Sequence, residues 1–248
     1  MIPIISEDFL VTSDHHKIAY KHYKFGHDKV VIITHGFYNS KDAVLLQKLK
    51  DAFLAEYDVF MFDFRGHGNS DGLFAWTSKE NRDFKAALEY VKGKYKKVAM
   101  VAFSLGASIA INNLVDDNQI DSLVCVSAPS DPGKIDYQFW KLNFKNDLVY
   151  TLFTREGWIG RGFRPGPFWL KKEKPINNVS KLKIPILYIH GDKDWVVRQW
   201  HSQVLYEKTQ AIKKIVIIKN GPHAEYLMKD SEIEFVREIK DWFAATMN

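Results

Sequence analysis

The chain has 248 residues, of which 46% are hydrophobic and 26% charged, which excludes a disordered polar chain and allows one large core with an insertion. The net charge of +5 comes from scattered Lys and Arg rather than a focused stripe, so no nucleic-acid partner is expected. A single cysteine, Cys125, excludes an intrachain disulfide and a cysteine-held metal, and in its apolar run it reads as a buried core thiol.

Residues 1–25 open without a basic, apolar leader, and no apolar segment approaches the roughly 18 residues that span a bilayer. A cytoplasmic location is therefore expected, with peripheral membrane contact left open. Alternation in Ile18 to Tyr23 suits an antiparallel hairpin at a sheet edge. His15, His16, His22 and His27 lack metal-ligand spacing and read as surface residues. Val30-Val31-Ile32-Ile33-Thr34 is a β-branched run ending at His35-Gly36, as in a strand buried on both faces. A helix is predicted over Asp42 to Ala55, a strand at Val59 to Phe62, and a helix over Lys79 to Lys92. The strand Lys97 to Phe103 runs straight into Ser104, and a helix follows to about Val115. Ser122 to Ala128 is a further strand.

From Pro129 to Leu182 the rhythm breaks into a stretch dense in aromatics, Gly and Pro. Most of the rings there should build a local core, and a few should line an apolar pocket for an acyl or aromatic group. Its lysines and arginines, such as Lys134, Arg164, Lys171 and Lys172, form a solvated face or attract an anionic substrate or a membrane surface. Strand Ile186 to His190, helix Arg198 to Gln210, strand Ile215 to Ile218 and a closing helix Asp230 to Ala245 then follow. The last helix should bury Ile233, Val236, Ile239 and Phe243. Strands alternating with helices imply an α/β architecture with a mostly parallel sheet and helices on both faces.

In Ala102-Phe103-Ser104-Leu105-Gly106 a buried strand ends at a serine with small residues two positions away on either side, and a helix begins at once. A sharp turn of this kind pushes a serine hydroxyl out of the sheet, the nucleophile-elbow pattern with Ala in place of the first Gly. The plainer alternative is a serine capping the helix. A serine nucleophile needs a base, and the base needs a carboxylate to fix its tautomer. Downstream, Asp192 and Asp194 follow one strand and His223 follows the last, all at strand C-terminal ends, where sites of parallel sheets gather. The order Ser, Asp, His is the one this geometry uses. An oxyanion would take the backbone N–H of Leu105 and, from the loop after Ile33, that of Phe37. His35 reads as a residue that shapes this loop rather than as a base.

Together, His35-Gly36-Phe37, Asp63-Phe64-Arg65-Gly66-His67-Gly68-Asn69-Ser70, Ala102 to Gly106, Gly191 to Val197 and Pro222-His223 resemble the α/β-hydrolase superfamily over nearly the whole chain. The branch resembled is that of monoacylglycerol lipases, serine-aminopeptidase-like proteins and cinnamoyl or feruloyl esterases. The resemblance implies an α/β-hydrolase core at 1–128 and 183–248, a cap insertion at 129–182, and a triad of Ser104, Asp194 and His223 with Asp192 left to shape its loop. Asp63 and Arg65 are expected to build scaffold. The implied activity is hydrolysis of small carboxylic esters without cofactor or metal. Peptide or thioester cleavage, C–C-bond hydrolysis and a ligand-binding role without turnover are the competing expectations.

Overall fold

The computed structural model describes residues 4–115, 120–135 and 164–247. Among the described residues eight strands form one sheet in the order β1-β2-β4-β3-β5-β6-β7-β8. The strands are β1 Ile4–Val11, β2 Lys17–Lys24, β3 Lys29–Thr34, β4 Asp58–Phe62, β5 Lys97–Phe103, β6 Ser122–Val126, β7 Ile186–Gly191 and β8 Lys213–Ile218. β1 pairs antiparallel with β2, and β2 antiparallel with β4. From β4 to β8 every pairing is parallel. This is the expected α/β-hydrolase fold, with its antiparallel hairpin at one edge.

The helices among the described residues are α1 Val44–Phe53, α2 Asn81–Val91, α3 Leu105–Asn113, α4 Trp200–Lys208 and, after a single turn at Leu227–Asp230, α5 Glu232–Thr246. They cover the sheet on two sides because the central strands are apolar at successive positions. In β3, Val30 and Ile32 pack with Phe84, Leu88 and Ala107, whereas Val31 and Ile33 pack with Leu46, Phe53, Ile239 and Phe243. The two-residue period of a strand thus sends alternate side chains to α2 and α3 on one face and to α1 and α5 on the other. Among the described residues no helix is long and apolar enough to cross a membrane.

Two sequence expectations need correction. Ile233 is 84% exposed, and the buried stripe of α5 is Phe235, Ile239, Trp242 and Phe243. These lie at i, i+4, i+7 and i+8, so the large ring of Phe235 sets the face that docks and turns Ile233 outward. His22 is buried rather than on the surface. Its ring nitrogens contact the hydroxyls of Tyr90 at 3.2 Å and Tyr95 at 2.5 Å, and Tyr95 donates onward to Asp58. Those partners come from far along the chain, and they are what makes a buried imidazole tolerable. Burial pushes His22 down to about 4, so it sits neutral.

Most of the expected cap, 129–182, falls on residues 136–163, which lie outside the described set. Where the chain returns, it is stitched to the loop after β4. Arg164 N–H donates to Gly66 O, Phe74 N–H to Arg164 O, and Gly166 N–H to Phe74 O. Further along, Phe168 and Trp169 are exposed.

The loop after β4 is held by charge. Arg65, 1% exposed, forks onto Asp83 through Nε and Nη2 and onto Asp14 through Nη1 and Nη2. Asp83 is itself fully buried. Removing the guanidinium strands that carboxylate, so Arg65→Ala should cost about 3–5 kcal/mol. Urea unfolding of the two proteins checks this, and a loss within about 0.5 kcal/mol, as for an ordinary surface change, would refute it.

Candidate active site

β5 ends at Phe103 and α3 begins at Leu105, so Ser104 alone makes the reversal from strand to helix. It does so at φ 49°, ψ −117°, a conformation that costs a non-glycine residue about 1–3 kcal/mol and persists only where the surroundings enforce it. Ser104 N–H donates to Val126 O at the end of β6, and Ser104 O receives the N–H groups of Ala107 and Ser108. A Cβ on Gly106 would lie 2.5 Å from His35 O, so only glycine lets α3 start this close to the end of β3. The side chain makes no capping bond to α3. Instead its Oγ lies 3.1 Å from His223 Nε2.

On the far side of the ring, His223 Nδ1 lies 2.7 Å from Asp194 Oδ2. An ionised carboxylate only accepts, so Nδ1 carries the proton, and in the neutral ring Nε2 is left to accept from the serine hydroxyl. Asp194 Oδ1 receives the N–H groups of Val196 and Val197 at 3.0 and 2.9 Å. A second histidine stands behind the carboxylate: His190 Nε2 is 3.2 Å from Asp194 Oδ2 and 2.7 Å from Val197 O. Both neighbours are acceptors, so this nitrogen also carries a proton, while Nδ1 meets Ser202 Oγ at 2.7 Å.

The electrostatics follow from these contacts. Burial alone would raise Asp194, but His223 and His190 outweigh it and hold the carboxyl well below its usual range. For His223 burial disfavours the charged ring, yet the Asp194 charge and hydrogen bond more than offset this and leave it above an ordinary histidine, with Glu225 adding to the rise. The loops that carry acid and base meet at backbone level. A Cβ on Gly191 would sit 2.1 Å from Gly221 O, so a side chain there would force the two loops apart.

His35 is completely buried in its site; its Nε2 accepts the Phe64 N–H at 3.0 Å, and its Nδ1 therefore donates to Gly36 O at 2.7 Å. Both nitrogens are committed to the loop backbone, and burial lowers the ring's affinity for a proton. Asp192 is exposed, with its N–H donating to Ile218 O, and it does not join Asp194 at the imidazole. Asp63 takes the Lys41 N–H, the Lys41 ammonium and the Asn69 N–H. It thereby ties the loop after β3 to the loop after β4. Leu105 opens α3, so its N–H is one of the donors that a helix's first turn leaves without intrahelical partners.

The Leu105 side chain packs with Phe74, Ile135 and Val197, and Phe37, Trp76 and Val196 pack against this group. The Phe37 and Trp76 rings stack at 5.3 Å and 29°. Trp76 and Thr77 both hold positive φ, in a loop where buried Glu80 receives the N–H groups of Ala75 and Lys79. Burial pushes Glu80 up to about 6. Ile135 of the group around Leu105 lies in the expected cap, 129–182, and Phe74 and Trp76 come from the loop that follows Gly68-Asn69-Ser70; the other cap residues expected to line a pocket fall largely on 136–163, outside the described residues. The apolar run Leu73 to Trp76 was the available signal. Lys41, Asn39, His190 and Glu225 also escaped the sequence reading.

Residues 29–147 match a protein family described as alpha/beta hydrolase fold. An esterase from Pyrococcus furiosus, Pf2001, superposes with a TM-score of 0.81 at 24% identity, covering 99% of this chain and 92% of its own. The esterase RhEst1 from Rhodococcus sp. ECU1013 gives a TM-score of 0.76 at 17% identity, covering 98% and 99%. Among curated sequences, the uncharacterised protein YfhR of Escherichia coli K12 is 24% identical over 195 residues, which is 77% of this chain and 62% of that protein. The alpha/beta hydrolase domain-containing protein WAV2 of Arabidopsis thaliana is 23% identical over 207 residues, 77% of this chain and 60% of WAV2. The chain thus spans about three fifths of the length of the curated relatives it matches. A parallel sheet entered through an antiparallel hairpin, a strained strand-to-helix serine, the superposed structures and the matched segment agree: the chain has the α/β-hydrolase fold.

Proposed function

We propose that this chain is a serine hydrolase that cleaves small carboxylic esters, of acyl or aromatic acids, by two-step acyl transfer to water. The observation that supports it most is the unbroken line Ser104 Oγ, His223 Nε2, His223 Nδ1, Asp194 Oδ2, with contacts of 3.1 and 2.7 Å at its two ends. Ser104 Oγ attacks the ester carbonyl carbon as its proton passes to His223 Nε2, and Asp194 stabilises the imidazolium that results. The N–H groups of Phe37 and Leu105 hold the oxyanion. His223 returns the proton to the leaving alcohol as the C–O bond breaks. Water, deprotonated by the same nitrogen, then releases the acid and restores Ser104. The apolar group around Phe37, Phe74, Trp76 and Leu105 lies beside the nucleophile and suits an apolar acyl or aryl group.

Ser104→Ala should lower kcat for an aryl ester by on the order of 10⁴–10⁶, because triad members act as a unit. Its thermal midpoint should change little, since the side chain caps no helix and the bond given up is the one to His223. Turnover at the unaltered rate in that variant would refute the mechanism. Parallel assays with short peptides and acyl thioesters distinguish an esterase from the peptidase and thioesterase alternatives.

The pH profile is also specified. His223 acts only as the free base, and its proton affinity is raised. Activity should therefore be absent at acid pH and appear as pH rises through one ionisation centred above the ordinary histidine value of about 6.5. Asp194→Asn should move that midpoint down and lower kcat by about 10⁴. A kcat/KM profile flat from pH 5 to 8 (about the window in which histidine titrates) would contradict the assignment.

A further inference from the structure

We infer that Asn39 and Glu225 form a clasp that fixes the loop carrying the proposed oxyanion donor Phe37 against the loop carrying the proposed base His223. The inference rests on the hydrolase reading above, and both are positioning residues that act through their loops. Asn39 Nδ2 donates to Glu225 Oε1 at 2.6 Å, across 186 residues of sequence. Asn39 is 3% exposed, and its Oδ1 accepts the Ser40 N–H at 2.9 Å. Both ends of the amide are therefore committed, and turning it over would set oxygen against oxygen.

Each loop has a reason to need such a tie. Tyr38, between Phe37 and Asn39, holds φ 61°, and Ala224, between His223 and Glu225, holds φ 50°. Non-glycine residues stay in that region only where neighbouring contacts over-determine them. The far end of the first loop is anchored by Lys41, whose N–H and ammonium both reach Asp63 at 2.6 and 3.0 Å. The second loop is anchored by Ala224 N–H on Ser127 Oγ at 3.0 Å. Those anchors join each loop to the sheet, whereas the clasp joins the loops to each other, two residues from each proposed reacting group. A misplacement of about 1 Å between such groups can cost about a hundredfold in rate.

Kinetics of an aryl ester test the clasp through chemically paired variants. Asn39→Asp keeps the acceptor for Ser40 but sets carboxylate against carboxylate, and should lower kcat by about tenfold to a hundredfold with KM within about twofold. Glu225→Gln keeps an oxygen acceptor for Asn39 and should retain most of kcat. The double variant Asn39→Asp/Glu225→Gln reforms the bond with its donor reversed, and should recover most of what Asn39→Asp loses. Should Asn39→Asp fail to fold, Asn39→Ala reads the same loss. Unaltered kcat in Asn39→Asp or Asn39→Ala, or a double variant no better than Asn39→Asp, would overturn the inference. Fluorophosphonate labelling of Ser104 in the unaltered chain separates the two levels. A chain that neither labels nor turns over esters overturns the hydrolase reading and the clasp with it, whereas a labelled, active chain with indifferent clasp variants overturns the clasp alone.

Discussion

An ionised carboxylate stands almost out of reach of water at the rim of the sheet, and the surrounding architecture is organised to keep it charged. Asp194 is 3% exposed. Left alone at such a position it would take up a proton, because an isolated charge loses several kcal/mol of hydration on burial. Four N–H groups prevent that: two from the backbone of Val196 and Val197 and one each from the rings of His190 and His223. The loop after β7 supplies the first pair simply by turning, and β7 itself supplies His190. Only His223 comes from elsewhere in the chain, and its far nitrogen faces the Ser104 hydroxyl. Stability and the proposed chemistry thus meet in one side chain.

The same requirement explains the packing of the strand ends. β5 and β8 are separated by β6 and β7, so their ends stand about 14 Å apart at ordinary strand spacing. His223 nevertheless reaches within 3.1 Å of the Ser104 hydroxyl. Its loop must cross the ends of both intervening strands, and it is fastened to each. Gly221 lies directly against Gly191 at the end of β7, and Ala224 N–H bonds to Ser127 just beyond β6. Positive φ at Asn220 and Ala224 bends the crossing loop, and positive φ at Ser127 and Ser104 marks the strand ends it reaches. The strain is concentrated where polar side chains converge and is held there by hydrogen bonds between adjacent loops.

Much of this was legible in the sequence, for definable reasons. Strands buried on both faces leave continuous apolar runs, which is why β3, β4, β5 and β7 stood out. The strand, Ser104 and the helix formed one uninterrupted signal, as did the order of Ser104, Asp194 and His223 along the chain. Their contact is observed, and their roles belong to the proposed mechanism. Choosing Asp194 over Asp192 took the family resemblance, since spacing alone treats the two alike. What stayed hidden were pairings between distant residues: Lys41 with Asp63, Asn39 with Glu225, and His22 with Tyr90 and Tyr95. A buried lysine or histidine resembles a surface one until its partner is known. Ile233 misled for the opposite reason, an apolar residue at plausible helical spacing that the docking of Phe235 turned to solvent.

The crossing of the last loop over the strand ends has a consequence for biosynthesis. Ser104 and the turn that cocks it are complete once β5, β6 and α3 have emerged, whereas the imidazole follows β8, nearly a hundred residues later. Under the proposed mechanism the hydroxyl is therefore displayed on the ribosome before its base exists, and it would remain an ordinary alcohol until β8 and the loop after it have joined the sheet. In the proposed mechanism reactivity waits for that loop to dock, so a chain arrested or misfolded at any earlier stage would be chemically silent toward esters.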